Sequence, residues 1–320
     1  MRALADKLGQ EHGVSLVCST LGLARSTRYH DAALASGARR REDEEIKAEI
    51  SRIYLENKKL YGAPRILLAL REEQRRHSKR RVARLMGELG IKGRSRGRKK
   101  PSLTDSRHKG RIAPNKLGEI AEVKEAHSVW VSDTTYIKGK GQWLYLAATM
   151  DYYSRTIVGW EVSATNDAEL TSKALRNAIE SYPARRPLHH SDRGSTYACK
   201  PYMDELEKVD GIASMSRKGD CYDNAAMESF FGTLKAECIG SRGYSSLGEC
   251  RADLFEYIES FYNSRRIHTS IGMSPRRKLE DPNNEPSRKA LRPTASSPCG
   301  KVALDTQAKS TNNLNSKTKS

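Results

Sequence analysis

From Val129 onward, the chain changes to an alternation of apolar and polar residues that strongly limits its possible folds. The stretch 129–137 alternates at every second position, as in a strand whose two faces meet different surroundings. Two short turns separate this stretch from similar ones at 143–150 and 156–162. Because turns this short join neighbouring strands, we expect these three strands to be antiparallel.

Helices and strands then alternate through the rest of this region. The further elements predicted are a helix that begins at Asn166 or Asp167 and runs to Tyr182, a strand over 187–191, a helix over 200–208, a strand over 211–215 and helices over 225–238 and 249–263. The order βββαβαβα describes a mixed sheet with helices packed on its faces. The predicted fold class is therefore α/β, with a ribonuclease-H-like mixed sheet as its core.

Helical modules precede this core. Residues 1–35 contain a short helix, a break at Gly22 and a basic segment, which fits a helix-turn-helix or equally an ordinary helical hairpin. Residues 42–91 predict a three-helix unit in which Ser78 caps the last helix. The arginines at 39–41 and the acids after them predict a solvated linker that leads into this unit.

The basic charge is concentrated beside the last helix of this unit. The chain carries a net charge of +18, which favours a nucleic-acid partner, and residues 75–100 hold twelve Lys or Arg against one acid. One helix face carries Lys79, Arg80, Arg81 and Arg84. We expect this face to bind DNA, with a generic solvated helix as the alternative. The basic stretch that follows has too few apolar residues to pack and should follow the DNA backbone.

Other compositional features limit the protein class. No apolar run reaches 18 residues and no signal peptide is recognisable, so we expect a cytoplasmic protein without a membrane span. Six scattered cysteines without a C-x-x-C pair fit a reducing compartment and argue against a zinc finger. The predicted order is a helix-turn-helix-like segment (1–35), a helical DNA-binding module (42–91), a basic linker (92–120), a catalytic core with a C-terminal helix (121–281) and a disordered tail (282–320).

Three acidic residues are candidates for one metal site. Asp133 lies in the middle of a predicted strand, where aspartate is uncommon, Asp192 ends another strand, and Glu228 begins a helix. Taken singly, Asp192 could cap a helix and Glu228 could simply favour a helix N-terminus. Together, three carboxylates repel one another unless a cation is present, and oxygen ligands select Mg²⁺ or Mn²⁺. Lys235, two helical turns after Glu228, falls on nearly the same helix face.

Several segments resemble one protein family. They are Trp130–Ile137, His190–Ser195, Ser216–Phe231 and Tyr257–His268, together with Tyr61-Gly62 and Ser274-Pro275. Thirty-five residues separate Asp192 from Glu228, and Lys235 follows seven residues after Glu228. These segments resemble the second-reading-frame (OrfB) transposases of bacterial insertion sequences, which share a DDE catalytic core with retroviral integrases. The resemblance covers about residues 1–281.

The resemblance implies an enzyme that cuts DNA and joins it to a target. In it Asp133, Asp192 and Glu228 would bind two Mg²⁺ or Mn²⁺ ions, and Lys235 would contact DNA phosphate. The freed 3′-hydroxyl of the element would attack a target phosphodiester. Arg193 departs from the family, which often has Gln there.

The resemblance also implies partners. They are the element ends and target DNA, a first-frame (OrfA) protein joined through a frameshift, and further copies of the chain on DNA. Two alternatives remain open from the residues alone: a ribonuclease-H-like nuclease, and a DNA-binding regulator with an inactive core.

Overall fold

A computed structural model of the protein describes residues 8, 13–20, 22, 38–95, 112–182, 186–217, 224–240 and 243–281. Its first helix, α1 (Val14–Thr20), agrees with the helix predicted before Gly22. The basic segment predicted to complete a helix-turn-helix and the tail over 282–320 lie outside the described residues. None of the helices that the structure describes is long and apolar enough to cross a bilayer.

Three helices form the unit ahead of the sheet. They are α2 (Ala38–Glu56), α3 (Ala63–Glu72) and α4 (Lys79–Glu88). The buried side chains between them recur at helical spacing and include Ile46, Ile50, Ile53, Ile66, Leu70, Val82 and Leu85. The predicted cap of α4 is confirmed, because the backbone N–H of Arg81 donates to Ser78 Oγ at 3.2 Å.

The linker predicted at residues 39–41 is wrong, because α2 already begins at Ala38. The acids that follow are anchored by a different helix. Asp43 accepts from Arg81 Nε at 2.8 Å and from the Arg84 guanidinium at 2.7 Å. The charged stretch therefore forms the first turns of a helix, because arginines about 40 residues later in the chain bind its acidic side chain.

A five-stranded sheet forms the core of the second region. Its strands are β1 (Val129–Lys138), β2 (Trp143–Asp151), β3 (Ile157–Ser163), β4 (Leu188–Ser191) and β5 (Ile212–Met215). They lie in the order β3-β2-β1-β4-β5. The first three are antiparallel, whereas β4 pairs in parallel with both β1 and β5. The predicted mixed sheet is confirmed, with each strand within a residue of its predicted bounds.

Helices cover both faces of the sheet. They are α5 (Ala168–Ser181), α6 (Lys200–Glu207), α7 (Ala225–Leu234), α8 (Leu247–Phe255) and α9 (Pro275–Leu279). Trp130 packs with α5 and α6 on one face, and Phe230 of α7 packs in the larger cluster on the other. A Cβ at Gly159 would lie 2.3 Å from the carbonyl oxygen of Ala174, so glycine lets α5 lie directly on β3.

Two predicted helices change their winding before they end. The helix predicted over 225–238 continues after α7 as a π-helical segment, Lys235–Ile239. The helix predicted over 249–263 continues after α8 as a second one, Glu256–Asn263. Such segments add a residue per turn and rotate the side chains that follow, and they are frequent at functional sites. The short helix α9 was not predicted.

The three-helix unit is fastened to the last part of the core by buried polar groups. Tyr61, which is fully buried, accepts a hydrogen bond from the backbone N–H of Ile267 at 2.8 Å. Arg65 donates from Nε to the carbonyl oxygen of Ile267 at 3.2 Å. Beside them, the guanidinium of Arg266 binds both carboxylate oxygens of Glu237, at 2.7 and 2.8 Å. Both partners of this ion pair are almost completely buried.

The described ends of the predicted linker contact the core through hydrogen bonds. Arg94 donates from Nε to the carbonyl oxygen of Ala236 at 2.9 Å. At the other end, the backbone N–H of Lys116 donates to Ser214 Oγ at 2.9 Å. Residues 96–111, between these ends, lie outside the described part of the chain.

Candidate active site

The first two acids lie on neighbouring parallel strands. Val131 of β1 pairs with His190 of β4. Extending this register by two residues brings Asp133 opposite Asp192, the first residue after β4. Ligands commonly bind at the carboxyl ends of parallel strands. The mid-strand and strand-end positions inferred from the sequence are therefore neighbours in space.

Backbone amides hold both carboxylates in place. The N–H of Thr134 donates to Asp133 Oδ1 at 2.8 Å, and the N–H of Gly194 donates to Asp192 Oδ1 at 2.8 Å. A Cβ at Gly194 would lie 2.9 Å from that same oxygen. Glycine therefore lets the Asp192 carboxylate lie directly against the backbone here, a role that sequence analysis did not assign.

The third acid comes from the helix that packs beside β1. Glu228 lies in the first turn of α7, and Asn224 just before the helix donates to the carbonyl oxygen of Ser132 at 3.2 Å. The predicted apolar stripe of this helix is confirmed as buried: Met227, Phe230, Phe231 and Leu234. Packing against the sheet through this stripe brings Glu228 close enough for its charge to act on the Asp133 carboxyl.

The electrostatics of Asp133 connect the four candidate residues. Burial, followed by the charges of Asp192 and Glu228, raises the pKa of the Asp133 carboxyl to about 8, while Lys235 acts in the opposite direction. All three neighbours therefore act on one half-buried carboxyl group. Within the described ranges, however, no three His, Cys, Asp or Glu side chains are gathered closely enough to hold a metal ion.

Lys235 begins the π-helical segment that follows α7. Its ammonium nitrogen lies 4.3 Å from the centroid of the Tyr136 ring. Burial lowers the pKa of Lys235, and the charge of Asp133 opposes this effect. Lys235, which was predicted to lie on the same helix face as Glu228, therefore also interacts with Asp133 on the neighbouring strand β1.

A buried tyrosine missed by sequence analysis lies beneath the acids. The hydroxyl of Tyr197 shares a 2.9 Å hydrogen bond with Thr134 Oγ1. Burial raises the pKa of Tyr197, and the charge of Asp133 raises it further. The hydroxyl therefore stays protonated and supports β1 next to the acid. Its only sequence signal is its position two residues after the segment that contains Asp192.

The predicted basic face of α4 divides into two pairs. Lys79 and Arg80 are exposed. Arg81 and Arg84 instead form ion pairs with Asp43 of α2, at 2.7 Å each. Two of the four predicted DNA contacts are therefore already engaged in holding helices together.

Arg193, which departs from the family, lies against the end of β5. Its Nε donates to the carbonyl oxygen of Ser216 at 2.7 Å. This bond gives the side chain a structural partner on the neighbouring strand, directly after Asp192.

Three family models match the chain. Two describe an integrase core domain and match residues 123–221 and 212–275, and one describes an HTH-like domain and matches residues 40–99. Together the integrase models cover residues 123–275, from β1 to the start of α9, and therefore all three acids. The HTH-like match covers the three-helix unit.

Similar proteins match over most of their length. An uncharacterized 31 kDa protein of insertion element IS600 from Shigella sonnei is 37% identical over 80% of this chain and 94% of its own. The transposase for insertion sequence element IS629, also from Shigella sonnei, is 35% identical over 86% of this chain and 94% of its own. Among solved structures, the HTLV-2 integrase catalytic core domain in complex with magnesium aligns with 48% of this chain and 97% of its own. That alignment has 14% identity and a TM-score of 0.38.

Proposed function

We propose, because the chain belongs to the transposases of bacterial insertion sequences, that Asp133, Asp192 and Glu228 are its catalytic acids. The chain is a DDE-type transposase with an integrase core and an HTH-like domain ahead of it. The observation that carries the assignment is the shared effect of Asp192 and Glu228 on the Asp133 carboxyl.

The donor set fits hard divalent ions. It consists of carboxylate oxygens, and Mg²⁺ and Mn²⁺ prefer such ligands. A carboxyl whose pKa is raised to about 8 by burial and neighbouring acids gains a stable charge when a cation enters. Asp133, Asp192 and Glu228 would hold two such ions, drawing closer together as they bind. When bound, the ions supply positive charge for the attacking and leaving oxygens of a phosphodiester.

The surrounding residues orient the acids and the DNA. The amides of Thr134 and Gly194 fix one oxygen of each strand acid and so hold the two carboxylates in position. Lys235 would bind the phosphate next to the scissile bond. In the joining step, the 3′-oxygen of the element forms a bond to phosphorus and loses its proton. The bond to the 3′-oxygen of the target strand breaks, and that oxygen gains a proton.

DNA and protein partners complete the proposed activity. The exposed Lys79 and Arg80 would contact the DNA backbone, and Arg81 and Arg84 would hold their helix in position for that contact. The enzyme would act in the cytoplasm, as several copies on paired element ends, and as a frameshift fusion with a first-frame protein. Size measurements on DNA, with and without that protein, test this arrangement. A single copy that joins DNA fully without the first-frame protein would refute it.

The assignment of the acids is tested by joining labelled, pre-cut element ends to a plasmid in Mg²⁺. Asp192→Asn and Glu228→Gln should each reduce joining at least about 1,000-fold while the protein remains folded. Asp167→Asn is a matched acid-to-amide control, because Asp167 caps α5 far along the chain from the site and Asn caps helices equally well. Joining by Asp192→Asn at the rate of the control would refute the assignment.

A further inference from the structure

Two large aromatic side chains are exposed on the hairpin that carries Asp133. Tyr136 and Trp143 each keep 53% of their surface accessible. Their ring centroids lie 5.2 Å apart with the ring planes at 85°. Exposing large aromatic surface to water is unfavourable, so their packing in the fold does not account for these two residues.

The register of the hairpin explains why both rings face the same way. Lys138 lies opposite Trp143, and Tyr136 lies two residues before Lys138 on the same face of β1. The pairing of β1 with β4 ends at Val131, so the outer half of β1 has a partner strand on one side only. The hairpin thus reaches past β4, and its end is bound by the backbone of Tyr244, while the two rings stay exposed at its surface.

This aromatic pair lies beside the proposed active site. Tyr136 is three residues from Asp133, or about 10 Å along the strand. This odd spacing directs the two side chains to opposite faces of β1, so the contact that links them is made by Lys235. The ammonium of Lys235 lies 4.3 Å from the Tyr136 ring centroid, and the same ammonium acts on the pKa of Asp133. Lys138, close to both rings, is exposed and adds positive charge. The surface therefore combines aromatic faces with cations next to the acids.

We propose that Tyr136 and Trp143 form a stacking platform for an unpaired base of the DNA end. This proposal rests on the proposed function, which brings a DNA end to the acids. Aromatic side chains flanked by cations bind single-stranded nucleic acid, because every base has a face that stacks and every nucleotide carries a phosphate. The distance of about 10 Å between Asp133 and Tyr136 along β1 equals about three nucleotide rises of 3.4 Å, counted from a phosphate bound at the acids. The platform would hold a base within that distance of the reacting phosphate, with Lys235 and Lys138 on the backbone.

The test is a binding comparison that needs no catalysis. Fluorescence anisotropy without divalent ions compares a blunt duplex with the same duplex carrying a four-thymidine 3′ overhang. The wild-type protein should prefer the overhang, and Trp143→Ala should lose about 5- to 100-fold in affinity for it while blunt-end affinity is unchanged. Trp143→Phe should restore most of the preference. Phe255→Ala is the matched control, because Phe255 is also an exposed aromatic, 57% accessible, on helix α8.

The platform would be refuted if Trp143→Ala kept the overhang preference of the wild type, or if Phe255→Ala lost as much. Joining assays keep this outcome separate from the proposed function. If the wild-type protein joins DNA and Asp192→Asn abolishes joining, the assignment of the catalytic acids is supported, even if the protein shows no preference for the overhang. An overhang preference that depends on Trp143, without any joining, would support the platform and count against the assigned acids.

Discussion

Without a divalent ion, the charge of Asp133 should destabilise the folded protein. Burial and the neighbouring acids raise the pKa of this carboxyl from 3.8 to about 8. The folded state therefore binds more protons than the unfolded state between these two values, and the stability contributed by this group falls as pH rises through that window. Asp133→Asn removes the charge at nearly constant shape. We expect this change to stabilise the metal-free protein.

The size of the effect follows from the pKa. A rise from 3.8 to about 8 corresponds to about 6 kcal/mol above pH 8, at about 1.4 kcal/mol per pH unit, and to about 4 kcal/mol at pH 7. Water that reaches the half-buried Asp133 side chain reduces this penalty. We therefore expect Asp133→Asn to gain about 2–4 kcal/mol in the free energy of unfolding at pH 7 in EDTA.

Urea unfolding at pH 5, 7 and 8.5 in EDTA measures the gain, which should grow with pH. Mg²⁺ should then stabilise the wild type more than the variant, because binding to the folded state alone is stabilising. Asp151→Asn is the control: this buried aspartate accepts backbone bonds from His127 and Ser154, at 2.7 and 2.8 Å, so the change should lower stability. A gain for Asp133→Asn that is absent, or equal at all three pH values, would contradict the proposed electrostatics.

Four further substitutions test the packing and the DNA-binding face. Glu237→Gln breaks the buried pair with Arg266 and should cost about 3 kcal/mol or more in urea unfolding, and a loss below 1 kcal/mol would contradict the role of this pair. Gly159→Ala places a methyl group against α5 and should lower unfolding stability by about 3 kcal/mol, whereas wild-type stability would show that the helix can move away. Lys79→Ala should lower the salt dependence of DNA binding by about one ion, whereas Arg84→Ala should leave it nearly unchanged, and equal slopes for both would show that the ion pair of Arg84 opens on DNA.

The sheet could be predicted because its signal is local. Alternation at every second residue and short turns define β1 to β3 without reference to the rest of the chain. Asp133 was recognisable for the same reason, as an acid where the pattern predicts a strand. The neighbouring position of Asp192 depends on a parallel pairing between strands far apart in sequence. The strand order and the basic charge made one shared site the favoured interpretation, and the family resemblance then made it specific.

Charged residues with distant partners could not be interpreted from the sequence. Arg81 and Arg84 have the spacing of a DNA-binding face, yet their ion partner Asp43 belongs to another helix. Glu237 lies in a predicted helix and Arg266 follows the predicted helix over 249–263, and nothing in their local sequence pairs them, yet they are buried against each other. Periodicity identifies which face of a helix is apolar, but it does not identify which charged side chains are enclosed when helices pack.

The bond between Tyr61 and Ile267 also sets an order of events during synthesis. The two residues are separated by 206 positions, so at 5–20 residues per second Tyr61 leaves the ribosome about 10–40 seconds before its partner exists. Until then, the surface around Tyr61 and Arg65 lacks its partner in the nascent chain. A chain terminated before residue 265 would keep that surface exposed and prone to aggregation or proteolysis. The three-helix unit and the catalytic core therefore become one cooperative unit only when the last part of the core has been made.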